Sequence, residues 1–337
     1  FSVGGIPVDP CINGDTVAFY GAGSGGQQGI YRATSVGSPI KVADLNTAIP
    51  SGTGNFTGFS ISGIPTDPCV SGDTVAFVGM GAGGQQGVYR KALPDLAPIK
   101  VADTGTAIPG GTGSFTSFSA LSLDPTDASN VAVVGSGAVV KGVYASIGNG
   151  ALARIVDTTM AIPGSTSTFA DFGSVSIDPS DVAFLAFGSA GEKGIYADIG
   201  GTLVDVVNVE DTIGGKLIAD LDFGPQGFTE TAGAPSLTYR ATFSDGSSGI
   251  FAAAVPRPIP GDFNGNGVVD AADYVVWRKG LETIYTQADY DVWRVHFGQT
   301  AGSGAGAMTN AAVPEPTTLV LLLFAATAGC FRRGRAV

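Results

Sequence analysis

Twelve consecutive residues carry the most concentrated chemistry in this sequence. They run Asp262-Phe263-Asn264-Gly265-Asn266-Gly267-Val268-Val269-Asp270-Ala271-Ala272-Asp273. Side-chain oxygens fall at loop positions 1, 3, 5, 9 and 12, glycine stands at position 6, and a backbone carbonyl is available at position 7. A hard cation such as Ca²⁺ takes about six to eight oxygens in a flexible shell, and a glycine at position 6 permits the sharp turn that wraps them round one point. The expected cofactor is Ca²⁺, held by Asp262, Asn264, Asn266, Val268 through its carbonyl, Asp270 and Asp273. The competing reading is an ordinary Asn-Gly turn ahead of a helix, and five correctly spaced oxygens weigh against it.

Such a loop needs elements to fix its ends. Tyr274 to Lys279 reads as a helix with Tyr274, Trp277 and Leu281 on one side. Thr286 to Arg294 repeats it sixteen residues later, matching Asp273 with Asp289, Tyr274 with Tyr290, Trp277 with Trp293 and Arg278 with Arg294. Residues 281–285 leave no room for a second ligand loop and offer only Glu282, so one calcium is expected and the second helix is kept for packing. The two tryptophans are expected to pack between the helices rather than to anchor an interface. Residues 256–260 hold three prolines and read as a stiff linker.

This pairing, over about Gly261 to Gly298, resembles a dockerin, a small bacterial extracellular module of two calcium-loop-helix repeats of EF-hand type. Members of that family carry aspartate at position 12, as Asp273 does here. The resemblance implies calcium-stabilised folding and a cohesin-like partner; an intramolecular clasp or another surface partner, such as a surface polysaccharide, is equally open.

Upstream, residues 1–255 repeat. A Gly-aliphatic-aromatic landmark recurs as Gly29-Ile30-Tyr31, Gly87-Val88-Tyr89, Gly142-Val143-Tyr144, Gly194-Ile195-Tyr196 and Gly249-Ile250-Phe251. The recurrence, at 52 to 58 residues, lies in the range of propeller blades. Each unit holds four strand-like pieces. The first is an aromatic piece (Phe56 to Phe59, Phe115 to Phe118, Phe169 to Phe172), and the second an apolar run such as Val75-Ala76-Phe77. The landmark is the third, and the fourth is Ile40 to Asp44, echoed at Ile99 to Asp103, Arg154 to Asp157 and weakly at Val204 to Asn208. Radial repetition of such units limits exposed sheet edges. The expected fold is mainly β: a five-unit β-propeller-like body, then the small helical module, then one short C-terminal hydrophobic helix. An open β-solenoid or a pair of sandwiches is the alternative. Phe1 aligns with Phe59 inside a unit, so the start reads as truncated, with a fourth strand and an export signal expected upstream. The units resemble the Asn-x-x-Gly-x-x-Ala-Phe-type tandem repeats of secreted bacterial surface proteins, loosely matched by Asn13 to Phe19 and Ser71 to Phe77; that resemblance implies a propeller-like body without assigned activity.

Catalytic readings of the body are weak. Gly21 to Gly26 satisfies G-x-G-x-x-G, but a dinucleotide cradle needs a strand before it and a helix after it. Both flanks read as strands, so a glycine-rich hairpin loop is expected. Asp44, Asp103 and Asp157 recur at one position, as do Asp15, Asp73 and Asp181. A catalytic pair should break a repeat, whereas these acids obey it, which favours turn capping. One histidine, His296, leaves the body without the usual general base.

Net charge is −12, which disfavours nucleic acid and anionic surfaces. The cysteines are Cys11, Cys69 and Cys330. Equivalent points of neighbouring repeats usually lie beyond the roughly 7 Å Cα separation a disulfide tolerates, so Cys11 and Cys69 are expected to be isolated structural thiols. After a Gly/Ala/Ser linker at 300–312, residues 313–337 hold Val313-Pro314-Glu315-Pro316, an apolar run from Leu319 to Phe331, and Arg332-Arg333. That run would span about 20 Å as a helix, short of a bilayer core of about 30 Å. In that order the three parts resemble a PEP-CTERM sorting signal. The resemblance implies export, recognition by an exosortase-type enzyme at Pro314, Glu315 and Pro316, and a transient inner-membrane anchor whose end Arg332 and Arg333 keep cytoplasmic; a plain tail anchor is the second reading. The whole is read as an exported, non-enzymatic cell-surface or extracellular-matrix protein. A secreted polysaccharide-degrading or glycan-binding protein, working from a face of the propeller, is the alternative.

Overall fold

Strands of two to ten residues separated by glycine turns make up residues 11–254, and two helices follow. The computed structural model describes residues 10–300 except 62, 63, 66, 95, 96, 232, 256, 283 and 284. Phe1, Cys330, the linker from 301, the apolar run, and the sorting residues Pro314, Glu315, Pro316, Arg332 and Arg333 lie outside the described residues. All described residues fall within one compact unit, Phe1–Ala301.

Four sheets are antiparallel meanders whose spatial order follows the chain. The first holds β1 (Cys11–Asn13), β2 (Thr16–Ala22), β3 (Gln28–Thr34) and β4 (Ile40–Asp44). A short ribbon follows, β5 (Ser60–Ile61) and β6 (Ile64–Pro65). The second sheet has β7 (Cys69–Ser71), β8 (Thr74–Met80), β9 (Gln86–Ala92) and β10 (Ile99–Asp103). The third has β11 (Ser117–Leu123), β12 (Val131–Ser136), β13 (Lys141–Ser146) and β14 (Ala153–Asp157), and the fourth β15 (Phe169–Asp178), β16 (Asp181–Gly188), β17 (Lys193–Ile199) and β18 (Thr202–Asn208). The weakly read fourth strand of this unit is thus seven residues long. The fifth sheet joins β19 (Thr212–Ile213), β20 (Lys216–Asp222), β21 (Phe228–Thr231), β22 (Ala234–Phe243) and β23 (Ser248–Ala254). β20 and β21 pair with successive halves of β22, and β23 pairs along its other edge.

The landmark has a steric origin. A Cβ on Gly29, Gly87 or Gly142 would stand 2.8, 2.8 or 2.6 Å from the carbonyl oxygen of Ala43, Ala102 or Val156 on the next strand. It would also collide with the tyrosine two residues on, whose ring folds back over the glycine. The pairing register shifts beside that tyrosine at Ile30/Tyr31, Val143/Tyr144 and Ile195/Tyr196, so the landmark is a β-bulge that brings backbone and ring together. In the second, third and fourth units the first phenylalanine meets that tyrosine edge-on: Phe56–Tyr89 at 4.9 Å and 79°, Phe115–Tyr144 at 4.9 Å and 85°, Phe169–Tyr196 at 5.3 Å and 90°. Edge-to-face packing of buried rings adds to their area term. These clusters fill the space between sheets and form the core.

The aromatic piece departs from expectation in the second unit. Phe56 to Phe59 precedes the sheet, and its first strand is Cys69–Ser71. Thr57 and Gly58 still bond Met80 at the far end of β8, so this strand is interrupted by the excursion through β5 and β6. The β20–β21 break is the same device in the fifth unit.

The first strands of successive sheets lie against one another. Val70 donates its N–H to Cys11 Sγ at 3.2 Å, and Gly72 to Asn13 Oδ1 at 3.2 Å. The Ile177 N–H reaches Ser122 Oγ at 3.3 Å, Phe228 reaches Ser176 Oγ at 3.2 Å, and Glu230 reaches Asp178 Oδ2 at 2.7 Å. β1–β7, β11–β15 and β15–β21 are thereby joined, and the Cys69 thiol donates across β7–β11 to the Leu121 carbonyl at 3.5 Å. Cys11 and Cys69 are accordingly not isolated thiols. They meet where neighbouring first strands converge, a juxtaposition that repeat spacing alone does not reveal.

Candidate metal centre

Helices α1 (Ala271–Gly280) and α2 (Gln287–His296) bracket the module. Asp270 is the N-cap of α1: its Oδ1 accepts from the Ala272 N–H at 2.7 Å, while its own N–H donates to Asp273 Oδ2 at 2.8 Å. Asp273 Oδ1 also accepts from the Asn264 N–H at 3.0 Å. Ahead of the helix, Asp262 accepts from the N–H groups of Asn266 and Gly267, Asn264 Oδ1 from Asn266 at 2.9 Å, and Asn266 Oδ1 from Val268 at 2.9 Å. The chain therefore curls about its own oxygens, with Gly265 and Gly267 at φ of 70° and 82°.

Asp273 is fully buried. Among the described residues no cationic side chain forms an ion pair with it, nor with Asp262 or Asp270. A buried carboxylate needs pairing or a metal. Among the described residues no three His, Cys, Asp or Glu side chains gather as a metal cluster. The loop's donors are instead mixed: two Asn amide oxygens, the Val268 carbonyl and three carboxylates. Each carboxylate keeps lone pairs beyond those its backbone donors occupy. This all-oxygen set fits a hard cation.

The helices are locked by a feature that sequence reading missed. Trp277 Nε1 donates to the carbonyl of Thr286, the N-cap of α2, at 2.9 Å, and Trp293 Nε1 donates to that of Asp270, the N-cap of α1, at 2.8 Å. The matched sixteen-residue spacing is the only signal of this reciprocity. Tyr274 and Tyr290 complete the aromatic stack, with Trp277–Tyr290 at 5.0 Å and Tyr274–Trp293 at 5.4 Å, so the tryptophans do pack between the helices. Gly261 (φ 94°) lets the loop touch α2, because a Cβ there would stand 2.7 Å from the Trp293 Cα. The Val269 N–H donates to the Gln299 carbonyl and the Gly298 N–H to the Val269 carbonyl, tying the calcium-type loop to the chain after α2. Between the helices, Glu282 donates its N–H to Tyr285 O and Tyr285 to Gly280 O.

The other acids divide by environment. Asp44 accepts from the Asn46 N–H and the Thr47 hydroxyl and pairs with Lys41; Asp103 does the same with Gly105, Thr106 and Lys100, and Asp157 with Thr159 and Arg154. Burial opposes their ionisation, but the cation, hydroxyl and backbone donor outweigh it and hold all three carboxyls below the usual range. They cap turns. Asp73 pairs with Arg32 at 2.5 Å, and Asp181 accepts from the Gly200 N–H and lies 3.0 Å from Arg257, which also pairs with Glu230 and pins the linker to the body. Gly21 to Gly26 lies at the β2–β3 hairpin, where Gly23 N–H donates to Gln27 O.

The fourth unit breaks this pattern. Where Lys41, Lys100 and Arg154 stand, it has Asp205, and where the capping aspartates stand it has Asn208, whose Nδ2 donates to Asp205 Oδ2 at 2.6 Å. The Asp205 side chain is solvent-exposed, and partial desolvation by its neighbours, with Asp211 adding, shifts its carboxyl only in the upward direction. It lines a cleft of about 390 Å³ with Pro163, Glu192, Lys193, Tyr196 and Glu210.

Sheets in meander order followed by an oxygen-lined loop and helix pair define a mainly β repeat protein with a small helical module. The chain belongs to a family of unknown function, DUF7453, whose model matches residues 12–260. No curated protein matches it. Among solved structures it is similar to a TolB candidate from Agrobacterium tumefaciens (15% identity, 73% of this chain and 81% of that one, TM-score 0.38). It is also similar to a puromycin-hydrolyzing peptidase of Mycobacterium tuberculosis (14%, 73% and 37%, 0.38) and to an arginine-to-alanine triple mutant of AofleA from Arthrobotrys oligospora (13%, 73% and 68%, 0.39). At these scores the likenesses assign neither activity nor ligand.

Proposed function

We propose that this is an exported, non-enzymatic cell-surface or matrix protein whose C-terminal module folds round one Ca²⁺ and serves assembly or partner binding. The observation that carries the reading is Asp273: a fully buried carboxylate without a cationic partner among the described residues, in a loop whose other donors are all oxygen. Asp262, Asn264, Asn266, the Val268 carbonyl, Asp270 and Asp273 would hold the ion. Bound there, it supplies the positive charge that the carboxylates lack. The body would present the five sheets as a propeller-like ring, a reading supported by the side-by-side first strands. Pro10 and Cys11 of the first unit and Gly224 to Gly227 of the fifth line one cavity of about 230 Å³, as units meeting round a ring would. The PEP-CTERM resemblance supports export and exosortase-type processing.

Trp277 and Trp293 are the only tryptophans, so fluorescence reports the module alone. Melting followed by tryptophan emission is expected to shift upward in calcium, by about 2.7 kcal/mol at a hundredfold excess over Kd. Superimposable melts in calcium and in chelator would remove the calcium reading.

Asp205 favours a second reading, a glycan-binding or glycan-degrading cleft in the fourth unit, because a carboxylate that breaks the repeat and lines a cleft with Glu192 and Glu210 is what acid catalysis or sugar recognition uses. On this reading Asp205→Asn abolishes turnover, or weakens binding at least about tenfold, in hydrolysis assays and on glycan arrays. Wild-type protein inert in both would exclude it.

A further inference from the structure

We infer that Cys11 and Cys69 are a disulfide-forming pair that staples the first unit to the second. Two hydrogen bonds fix their relation. The Val70 N–H points at Cys11 Sγ at 3.2 Å, so that sulfur sits against the peptide immediately following Cys69. Two residues on, Gly72 N–H reaches Asn13 Oδ1 with the same 59-residue offset, so β1 and β7 run side by side in a fixed register. Neither sulfur is bonded to another cysteine, and both are buried, at 6% and 1% exposure.

Their surroundings differ in the way an exchange reaction requires. Cys11 lines the 230 Å³ cavity, together with Pro10, Asp67, Pro68 and Gly224 to Gly227. Cys69 is not among the residues that line it. The neighbouring Cys69 thiol, and then the Val70 N–H, pull the Cys11 thiol below its ordinary value despite burial, whereas Cys69 is pushed well above it by its neighbour and by burial. The more acidic, cavity-facing sulfur is the attacking one.

The co-reactant is a small disulfide of the oxidised-glutathione class. The Cys11 thiolate attacks one of its sulfurs, breaking that S–S bond, forming a mixed disulfide and releasing one thiolate. Cys69 then gives up its proton and attacks Cys11 Sγ, forming the Cys11–Cys69 bond and releasing the second thiol. Two electrons and two protons leave the protein, and the small disulfide is reduced to two thiols. The bond would close the chain from 11 to 69, restricting the unfolded state. This inference rests on the inter-strand contact and not on calcium, so the two stand or fall separately.

The test is to incubate the purified full chain with oxidised glutathione, block residual thiols in denaturant, and digest with trypsin without reductant. The expected product joins peptide 1–32 to peptide 42–90, with Cys330 the one alkylated cysteine. Oxidation is expected to raise the melting temperature by roughly 5–15 °C, and this shift is expected to vanish in Cys11→Ser and in Cys69→Ser. Because either variant could lose stability outright, the wild-type peptide map decides. Three alkylated cysteines, a link to Cys330 or to a second molecule, or glutathione retained on Cys11 would each overturn the inference.

Discussion

Replacing Asp273 by alanine is expected to weaken calcium binding by more than about 100-fold, because a ligand should matter more than the outer-shell partners whose loss typically costs 10–100-fold. The same change strips acceptors from the N–H groups of Asn264 and Asp270, at about 1–3 kcal/mol for each donor left buried and unmet. The control lies sixteen residues away. Asp289 occupies the matching position of α2, where it accepts from the Thr286 N–H and hydroxyl and has no calcium-type loop before it. Asp289→Ala should therefore cost only a capping contribution, about 0.5–2 kcal/mol, and leave calcium affinity unchanged. Titrations of the two variants that look alike would mean that Asp273 is a helix cap and nothing more.

The second large effect belongs to the body. Phe169→Ala should destabilise it by about 3–5 kcal/mol, the range for emptying a buried aromatic site. Phe169 is 1% exposed and touches Phe172, Phe184 and Tyr196 at centroid distances of 5.5, 6.0 and 5.3 Å. Phe115→Ala, which removes the equivalent partner of Tyr144, should behave alike. Urea unfolding of each variant supplies the measurement. A loss below about 1 kcal/mol would show that the repeated edge-on pairs do not hold the sheets together.

Much of this was legible because repetition exposes constraint. The glycine of each landmark is forced by a folded-back aromatic ring, joined in the first three units by a carbonyl of the next strand, so it stays visible in every unit. The helix pair was readable for the same reason, since both halves keep the same aromatic positions. What escaped lay where units differ or meet. The first strands of units two and five are split, so the aromatic piece misplaced the edge of the second sheet. The contact between Cys11 and Cys69 depends on the register of β1 against β7, which no local pattern encodes. The exchange of Lys41, Lys100 and Arg154 for Asp205 stood in the sequence, but its meaning needs the capping pairs to be seen first.

Calorimetric titration of calcium into the chelator-stripped full chain tests the central claim most directly. One site per chain, saturating at or below roughly millimolar calcium, is the predicted result. A flat titration through that range, with no calcium retained on the protein, would contradict it.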